Sequence, residues 1–487
     1  MNRPIRTIHL WLFISLLTSS LACRAASHVI EVYNPGLPTT SAPIERTLQP
    51  PTLSIPVVTP SSTIETIYPP TPNTLIRTQH STVTATNELS PITDIQPTET
   101  WLTVTPSELQ MEVFDDLWTV VNDNYLYSDF NGLDWDQVYE EYSRRIQEGM
   151  TDEAFYQAMD EMIFRLGDEH STFFSPSETY KLDKDFAGEY NYVGIGVLTS
   201  FVPERDRLTI LLVFPGSPAE QAGLNAHDSI LEINGQPLTD QRVPRNHLLQ
   251  GPEGSRVELT VQTPGEAPRQ VRLTRQRIKN TLPVPYEIML TNEGKQIGYL
   301  MLPTFHDSNV DERVEDALRS MSVEGPVEGL IIDNRYNGGG ASDVFYDTIA
   351  YFTDGAVGHF IHRNIPQTFQ IEGRDIGGSQ SLPLVVLVSP ETASFGEIFA
   401  GILSDLSRAV IIGETTNGNV EIMSVYNFID GSRAWIAYQT FRPINNPGED
   451  WEELGIIPHI SAISAWDLYT LEQDPLILES LAYFDKN

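Results

Sequence analysis

The chain has 487 residues and a formal net charge of −36, because its 66 acidic side chains outnumber 30 basic ones. A chain of this length exceeds what one hydrophobic core usually organises, so two to four structural units are expected. Proteins that bind nucleic acid or anionic lipid through their charge are excluded, because both partners require a basic surface. The composition therefore predicts a soluble protein with a strongly acidic surface.

Residues 1–22 are predicted to be a signal peptide. Arg3 and Arg6 precede an apolar run that extends from Ile8 to Leu17. This run is too short to cross a bilayer comfortably, and a basic segment before a short apolar core is typical of an export signal. We therefore expect an exported protein.

Cys23 is the only cysteine of the sequence, so the chain cannot form an internal disulfide. The segment Leu21-Ala22-Cys23 resembles a bacterial lipobox, although Ser20 stands where that motif usually has Leu. The resemblance implies a diacylglycerol thioether on Cys23, which would be the protein's one link to a membrane. The alternative is ordinary signal cleavage near residue 25 or 26 and release of the protein.

Residues 23–106 are dominated by Pro, Thr and Ser, as in the segment Tyr68-Pro69-Pro70-Thr71-Pro72. Such a segment cannot bury enough apolar surface to offset the entropy lost on ordering, so we predict an extended, disordered stalk. A stalk of this kind would hold a folded unit away from a membrane.

The remainder is predicted to fold as a multidomain protein of the α+β and α/β classes. Residues 107–185 are predicted to form a helical domain, because apolar residues such as Val113, Leu117 and Val121 fall three or four residues apart. Residues 186–278 have the pattern of short alternating strands. Residues 279–467 are predicted to form an α/β core, and residues 468–487 a peripheral C-terminal helix and tail.

Residues 186–278 contain a helix-start motif, Gly216-Ser217-Pro218-Ala219, and a hairpin motif, Ile233-Asn234-Gly235. Together these motifs resemble a PDZ domain of the bacterial protease type. The resemblance implies capture of an extended polypeptide, often by its free C-terminus, through strand addition. The alternative is a structural β domain without a ligand. The peptide-binding loop would comprise Gly194, Ile195, Gly196 and Val197, whose backbone N–H groups can receive a carboxylate.

Ser394 is the strongest candidate for a catalytic residue. It follows the apolar run of residues 382–388 and precedes an amphipathic helix marked by Ile398, Phe399 and Ile402. This arrangement places the hydroxyl at a helix N-terminus, where free N–H groups and the helix dipole stabilise a developing oxyanion. The alternative is that Ser394 merely caps the helix.

The Ala393-Ser394 pair, the PDZ-like insert and the segment Gly298-Tyr299-Leu300 together resemble a C-terminal processing peptidase. The resemblance covers roughly residues 107–464 and implies a serine peptidase core of the ClpP/crotonase type. It also implies that Ser394 is the nucleophile, and that the oxyanion hole is formed by Gly338 or Gly339 with the N–H of Phe395. Glycine permits such a close approach of backbone to substrate. The alternative is that these glycines only form a turn at the end of a strand.

The chain departs from the best-known enzymes of this family at the base. Those enzymes use a serine–lysine dyad, and the lysine position is occupied here by Asn419, which cannot act as a base and is a candidate supporting residue of the site. Lys486 is the only lysine after Ser394. Because a serine without a base is a poor nucleophile, either another residue acts as the base or the protein is inactive.

Peptidases of the tricorn core type supply the alternative base. The chain resembles them in the segment that ends in Gly167-Asp168-Glu169-His170, which implies that His170 is the base. A second matching segment, residues 450–458, places their orienting carboxylate on Glu452. Ser394, His170 and Glu452 would then form a catalytic triad. Glu169 replaces the serine that precedes the histidine in tricorn-type enzymes.

We expect no metal and no cofactor, because the other histidines lack metal-ligand spacing and no phosphate-binding loop is present. The combined prediction is an exported serine endopeptidase, lipid-anchored or secreted, that cleaves unfolded polypeptides through an acyl-enzyme. The alternative, favoured by Asn419, is a catalytically inactive protein of the same fold that binds peptides or apolar ligands. The sequence does not indicate an oligomeric state.

Overall fold

The computed structural model describes residues 106–168, 170–186, 192–240, 243–279 and 282–486. The predicted signal peptide, Cys23, all but the last residue of the predicted stalk, and Glu169 lie outside the described residues. Within the described ranges, no helix has the combination of length and apolar character needed to cross a bilayer.

The N-terminal region is helical, as the spacing of its apolar residues predicts. Asp134 and Thr151 cap the second and third helices, since each side chain accepts a hydrogen bond from a backbone N–H of the first turn. The elements are α1 (Pro106–Asn124), α2 (Trp135–Gln147), α3 (Asp152–Phe164), β1 (Thr172–Phe174) and α4 (Pro176–Phe186).

The next unit is a β domain with a hydrophobic core of its own. Its helix α5 begins at Pro218. The side chain of the preceding residue, Ser217, caps the helix by accepting a hydrogen bond from the N–H of Glu220. The elements are β2 (Tyr192–Gly194), β3 (Val197–Val202), β4 (Arg207–Val213), α5 (Pro218–Gln221), β5 (Ser229–Ile233), β6 (Gln236–Pro237), β7 (Thr239–Asp240), β8 (Val243–Pro244), β9 (Arg256–Gln262), β10 (Arg269–Thr274) and β11 (Gln276–Ile278).

Two features of this domain matter for function. The main sheet has the strand order β10-β9-β5-β4-β3, so β3 is an edge strand. Strands β2 and β11 pair antiparallel and bring together the two ends of the inserted domain. An edge strand offers unpaired backbone groups to an added strand.

The C-terminal part is the predicted α/β core. Its elements are β12 (Tyr286–Leu290), β13 (Gln296–Met301), α6 (Val310–Glu324), β14 (Gly329–Asp333), α7 (Ser342–Ile349), β15 (Gly355–His362), β16 (Ile365–Ile371), β17 (Leu384–Val388), α8 (Phe395–Asp405), β18 (Val410–Gly413), β19 (Ile422–Asn427), β20 (Arg433–Pro443), α9 (Trp451–Leu454), β21 (Ile460–Ser461) and α10 (Pro475–Lys486).

The central sheet has the order β12-β13-β14-β17-β18-β21 and is parallel from β13 onward. Every residue of β14 and β17 is buried. Strands buried on both faces have continuous apolar sequences, which explains why residues 382–388 lack the alternation of a half-exposed strand. Ser394 therefore follows the end of a central strand.

A second sheet joins the helical region to the core. Strand β20 pairs antiparallel with β1, β15 and β19. Phe428, Ala434, Ile436 and Ala437 from the core complete the hydrophobic core of the helical region. The helical region, predicted to end at residue 185, thus shares a hydrophobic core with the C-terminal part of the chain.

The C-terminal segment is not peripheral, so that part of the prediction is wrong. Leu476, Ile477 and Phe484 of α10 are buried in the main hydrophobic core. A Cβ atom on Gly329 would lie 2.5 Å from the Phe484 ring, so the ring packs directly on β14. Because one face of this helix carries large apolar side chains, it covers the sheet rather than remaining in solvent.

The segment before α10 also holds the end of β14. Asp474 accepts a hydrogen bond of 2.7 Å from the Arg335 guanidinium, which also contacts Asp333 at 2.6 Å. All three side chains are buried. A buried guanidinium with carboxylates on two sides is stable only if this geometry is kept. The C-terminal segment therefore fixes the backbone just before Gly338 and Gly339.

Replacing Phe484 by Ala is expected to lower the free energy of unfolding by about 3 kcal/mol, because it opens a cavity against β14. Urea unfolding followed by fluorescence measures the change. Leu478 lies on the same helix but is 51% exposed, so Leu478→Ala is the matched control, with an expected change of roughly 0.5 kcal/mol. Equal losses for the two variants would contradict the packing described.

Candidate active site

Ser394 has a backbone conformation that a residue with a side chain rarely adopts. Its φ is 53° and its ψ is −129°, at the point where the chain enters α8. Such strain persists only where surrounding contacts hold it. The Ser394 N–H donates to the carbonyl of Asn419 at 2.7 Å, and the Ala393 N–H donates to the carbonyl of Asn337 at 3.1 Å. These bonds fix the turn.

The Ser394 side chain does not cap the helix. No N–H of the first turn of α8 donates to its hydroxyl. Helix capping by the side chain therefore does not explain why a serine occupies this position. Among the described residues, the hydroxyl has no hydrogen-bond partner. A serine held in a strained strand-to-helix turn with an unengaged hydroxyl has the local geometry of a nucleophile.

Gly339 lies against Ser394. A Cβ atom on Gly339 would be 2.6 Å from the Ser394 Cβ and 3.0 Å from the Phe395 nitrogen, so no larger residue fits there without movement. The Gly339 N–H donates to the Asn337 side chain at 3.0 Å. Among the described residues, the N–H groups of Gly338 and Phe395 have no acceptor. Of the two glycines left open by the sequence, the geometry favours Gly338 as the oxyanion donor beside Phe395.

His170 lies in the loop between α3 and β1. The Asp168 carboxylate accepts hydrogen bonds from the N–H groups of His170 and Ser171, at 2.9 and 2.5 Å. The imidazole is almost completely buried, with 7% of its side chain exposed. Its Nε2 atom is 3.0 Å from Glu452 Oε1, although the two residues are 282 positions apart. Two of the three predicted triad residues therefore meet.

Glu452 is fixed by backbone groups on its other side. Its Oε2 atom accepts hydrogen bonds from the N–H groups of Val420 and Glu421, at 2.7 and 3.2 Å. Glu452 is consequently oriented to accept a hydrogen bond from the imidazole through Oε1.

The histidine lies in a strongly negative environment. Burial alone would lower the pKa of His170, but the hydrogen bond and charge of Glu452, with the charges of Glu421 and Asp168, outweigh it and raise the pKa to about 9. The imidazole is therefore protonated at neutral pH in this structure. Proton acceptance from a serine requires loss of that proton.

Glu421 is a second carboxylate beside His170 that sequence reasoning missed. Its Oε2 atom is 3.9 Å from His170 Nε2, and 2% of its side chain is exposed. The hydroxyl of Tyr127, from the chain just after α1, donates to its other oxygen. Burial and the charge of Glu452 raise the pKa of Glu421 to about 7. Nothing in the sequence separates this residue from the other acidic residues.

Asn419, at the lysine position of related enzymes, contributes through its backbone. Its N–H donates to Glu397 Oε2 at 2.8 Å, and its carbonyl accepts from Ser394. Glu397, in the first turn of α8, also accepts hydrogen bonds from Gly418 and Thr416. Sequence analysis missed this fully buried glutamate, which holds the 416–419 loop against the helix that begins at Ser394.

A short path of contacts connects the serine to the histidine. Ser394 binds the carbonyl of Asn419, the next residue Val420 binds Glu452, and Glu452 binds His170. No hydrogen bond joins Ser394 directly to His170 in the described structure, and His170 Nδ1 has no hydrogen-bond partner among the described residues. The geometry thus unites His170 and Glu452 and connects both to the backbone of Ser394.

The atoms His170 Nε2 and one carboxylate oxygen each of Glu421 and Glu452 lie within 4.8 Å of one another, which admits a metal ion in principle. Two ligands of one tetrahedral zinc ion are about 3.3 Å apart, from bond lengths of about 2.0 Å. His170 and Glu452 are closer, at a hydrogen-bond distance of 3.0 Å. The hydrogen bond explains this contact, so we assign no metal to the cluster.

The predicted peptide-binding loop borders the edge strand of the β domain. Ile195 is buried and its carbonyl accepts from the N–H of Ala219 at 2.9 Å. The Gly196 carbonyl accepts from the Ser217 hydroxyl at 3.3 Å. Gly194 is the last residue of β2, and Val197 begins the edge strand β3. The loop is fixed through its carbonyls, next to a strand that pairs on one side only among the described residues.

Comparison with known proteins agrees with this architecture. The model of peptidase family S41 matches residues 296–462, that of the tricorn protease C1 domain matches residues 106–164, and that of the PDZ domain matches residues 209–263. These matches indicate the class of protein: peptidases that contain a PDZ domain.

Individual relatives narrow the class. The carboxyl-terminal-processing protease of Synechocystis sp. is 33% identical over 348 residues, which cover 70% of this chain and 78% of that protein. The carboxy-terminal processing protease CtpA of Bacillus subtilis is 27% identical over 339 residues, 67% of each chain. The chain belongs to the carboxyl-terminal-processing protease family.

A solved structure supports the same family. The photosystem II D1 C-terminal processing protease is 28% identical, with a TM-score of 0.51, over 74% of this chain and 94% of that chain. The resemblance stated from the sequence is therefore confirmed. The predicted architecture of helical region, PDZ domain and peptidase core is also confirmed.

Replacing Gly339 by Ala is expected to reduce the rate of labelling by a serine-directed phosphonate at least about 100-fold, because the new Cβ displaces Ser394 and Phe395 from the oxyanion site. Gly431→Ala is the matched control, since Gly431 has a similar φ of 87° but a Cβ there meets nothing closer than 3.7 Å. Labelling that survives in Gly339→Ala would contradict this assignment.

Proposed function

We propose that the protein is an exported serine endopeptidase that cleaves unfolded or tail-presented polypeptides through an acyl-enzyme. Ser394 is the nucleophile, His170 the base and Glu452 the orienting carboxylate. The observation that carries this proposal is the 3.0 Å contact between His170 and Glu452, which were selected as triad partners from separate segments. Family membership supports the activity but does not identify the base.

The proposed reaction begins with removal of the Ser394 hydroxyl proton by His170. Because Nε2 is engaged with Glu452, Nδ1 is the nitrogen that accepts this proton. The serine oxygen then bonds to the scissile carbonyl carbon, and the resulting oxyanion is stabilised by the N–H groups of Phe395 and Gly338. The imidazolium next protonates the leaving amine, and water hydrolyses the acyl-enzyme by the reverse sequence.

Substrate binding must close the gap between Ser394 and His170. Hydrogen bonds between catalytic groups are often long or absent in unliganded enzymes and shorten when substrate binds. The contacts through Asn419 and Val420 keep the two groups on one connected segment. The proposal therefore requires a movement of the 416–421 loop or of the His170 loop that brings the imidazole to the Ser394 hydroxyl.

The PDZ domain is proposed to gather the substrate. In the described part of the domain, β3 pairs on one side only, which suits the addition of an extended polypeptide on the other side. The N–H groups of the loop that contains Gly194, Ile195, Gly196 and Val197 would receive the free C-terminal carboxylate. The names of the relatives, carboxyl-terminal-processing proteases, support this mode of recognition.

Export and anchoring form part of the proposal. The basic and apolar N-terminal segment supports export, and Cys23 would carry the lipid. Detergent partitioning of wild type and Cys23→Ala distinguishes an anchored protein from a secreted one. A wild-type protein that enters the aqueous phase as fully as Cys23→Ala would exclude the lipid.

The triad predicts a pattern of labelling by a serine-directed phosphonate. Ser394→Ala is expected to abolish labelling, and His170→Ala to slow it by at least about 100-fold, because general-base catalysis contributes that much. Asn419→Ala is expected to change labelling little, because its backbone makes the contacts. Loss of labelling in Asn419→Ala with retention in His170→Ala would show that His170 is not the base. No labelling of the wild type at any pH would favour the inactive binding protein.

The raised pKa of His170 predicts activity that increases with pH. A base must be unprotonated, so kcat/KM is expected to rise through neutral pH and to level off near the pKa of about 9. Initial rates of peptide cleavage between pH 6 and roughly pH 10 measure this limb. An apparent pKa at the ordinary value for histidine, about 6.5, would contradict the environment described.

A further inference from the structure

Glu421 is more deeply buried than the triad carboxylate. Only 2% of its side chain is exposed, against 25% for Glu452. Tyr127 donates to one of its oxygens, and the other, Oε2, has no hydrogen-bond partner among the described residues. That unpaired oxygen is the one 3.9 Å from His170 Nε2. The side chain is thus held from one side and directed at the imidazole from the other.

A buried carboxylate with an unpaired oxygen is energetically unfavourable unless a charge compensates it. Glu421 also lies near Glu452, and two carboxylates that share a site repel each other. Protonated His170 is the group that compensates both. A catalytic triad requires only one carboxylate beside its histidine. The triad therefore does not explain the presence of Glu421.

Among the described residues, the groups that influence the charge of His170 are all acidic or neutral. Glu452 comes from α9, Glu421 from the segment before β19, and Asp168 from the histidine's own loop. Tyr127 influences His170 indirectly, through its hydrogen bond to Glu421. Of these, Glu421 is the residue that connects the base to the helical region.

We propose that Glu421 is a positioning residue for His170, which with Tyr127 holds the imidazole against Glu452 and determines the pH range in which the ring accepts a proton. The contacts themselves do not depend on catalysis, but the role rests on the proposed function of His170 as base. In the resting protein, the imidazolium bridges two carboxylates. Loss of the imidazolium proton leaves the negative charges of both carboxylates without a compensating positive charge. His170 therefore stays protonated to a higher pH than it would if Glu452 were its only carboxylate neighbour.

Glu421→Gln tests this role, because it removes the charge and retains an oxygen for the Tyr127 hydroxyl. The acidic limb of the kcat/KM profile is expected to move to lower pH by about one pH unit or more, the effect of one charge at this distance. At pH values below that limb, kcat/KM is then expected to rise about tenfold for each pH unit that the limb moves. Glu421→Asp, which keeps the charge, is expected to restore a limb close to that of the wild type.

Two further variants complete the comparison. Tyr127→Phe removes the donor that favours ionised Glu421, so Glu421 becomes protonated at higher pH and the limb moves in the same direction by less. Glu453→Gln is the matched control, since it removes an exposed charge adjacent to Glu452 and is expected to leave the limb in place. If Glu421→Gln does not fold, Tyr127→Phe alone must show the movement of the limb.

A measurement without turnover separates this inference from the proposed function. In Ser394→Ala protein, NMR titration of the His170 ring protons reports protonation of the imidazole directly. We expect Glu421→Gln to move that titration to lower pH and Glu453→Gln not to move it. An unchanged His170 titration in folded Glu421→Gln overturns the inference. If the titration moves but phosphonate never labels Ser394, the positioning contact stands and the proposed catalysis fails.

Discussion

The pairing of β1 with β20 is the contact on which the site depends. Phe173 lies opposite Ala434 in this short antiparallel ladder, and the Ser171 hydroxyl accepts from the N–H of Ala437 at 3.0 Å. Without it, the loop that carries His170 would belong to a separate helical domain. With it, an imidazole from the N-terminal region is buried against carboxylates that follow Ser394 in the chain. The hydrophobic core shared by the two regions stabilises that arrangement.

The site is a cluster of buried charge held mainly by backbone donors. Glu397 and Glu452 each accept hydrogen bonds from N–H groups of the 418–421 segment. Burial raises the pKa of Glu397 to about 7, which the hydrogen bonds from Thr416, Gly418 and Asn419 partly oppose. One loop thus connects helix α8, which begins just after Ser394, to Glu452, the carboxylate that binds His170.

Residues in local patterns were predictable from the sequence. Ser394 stands at a strand-to-helix junction, Gly339 in a glycine run, and both His170 and Glu452 in segments with recognisable neighbours. Glu421, Tyr127 and Glu397 were not predictable, because their importance comes from partners distant in the chain. The strained φ of Ser394 and the burial of α10 also depend on tertiary contacts that no local periodicity encodes. The sequence pattern identified the residues of the proposed triad, and the structure identified the groups packed around them.

The order of the site residues along the chain has a consequence for biosynthesis. His170 comes early, Ser394 late, and Glu452 and the Asp474 anchor of Arg335 later still. A nascent polypeptide that has been synthesised as far as residue 440 contains Ser394 and His170 but lacks Glu452, the proposed orienting carboxylate. The proposed triad therefore cannot assemble until Glu452 has been synthesised and has reached His170.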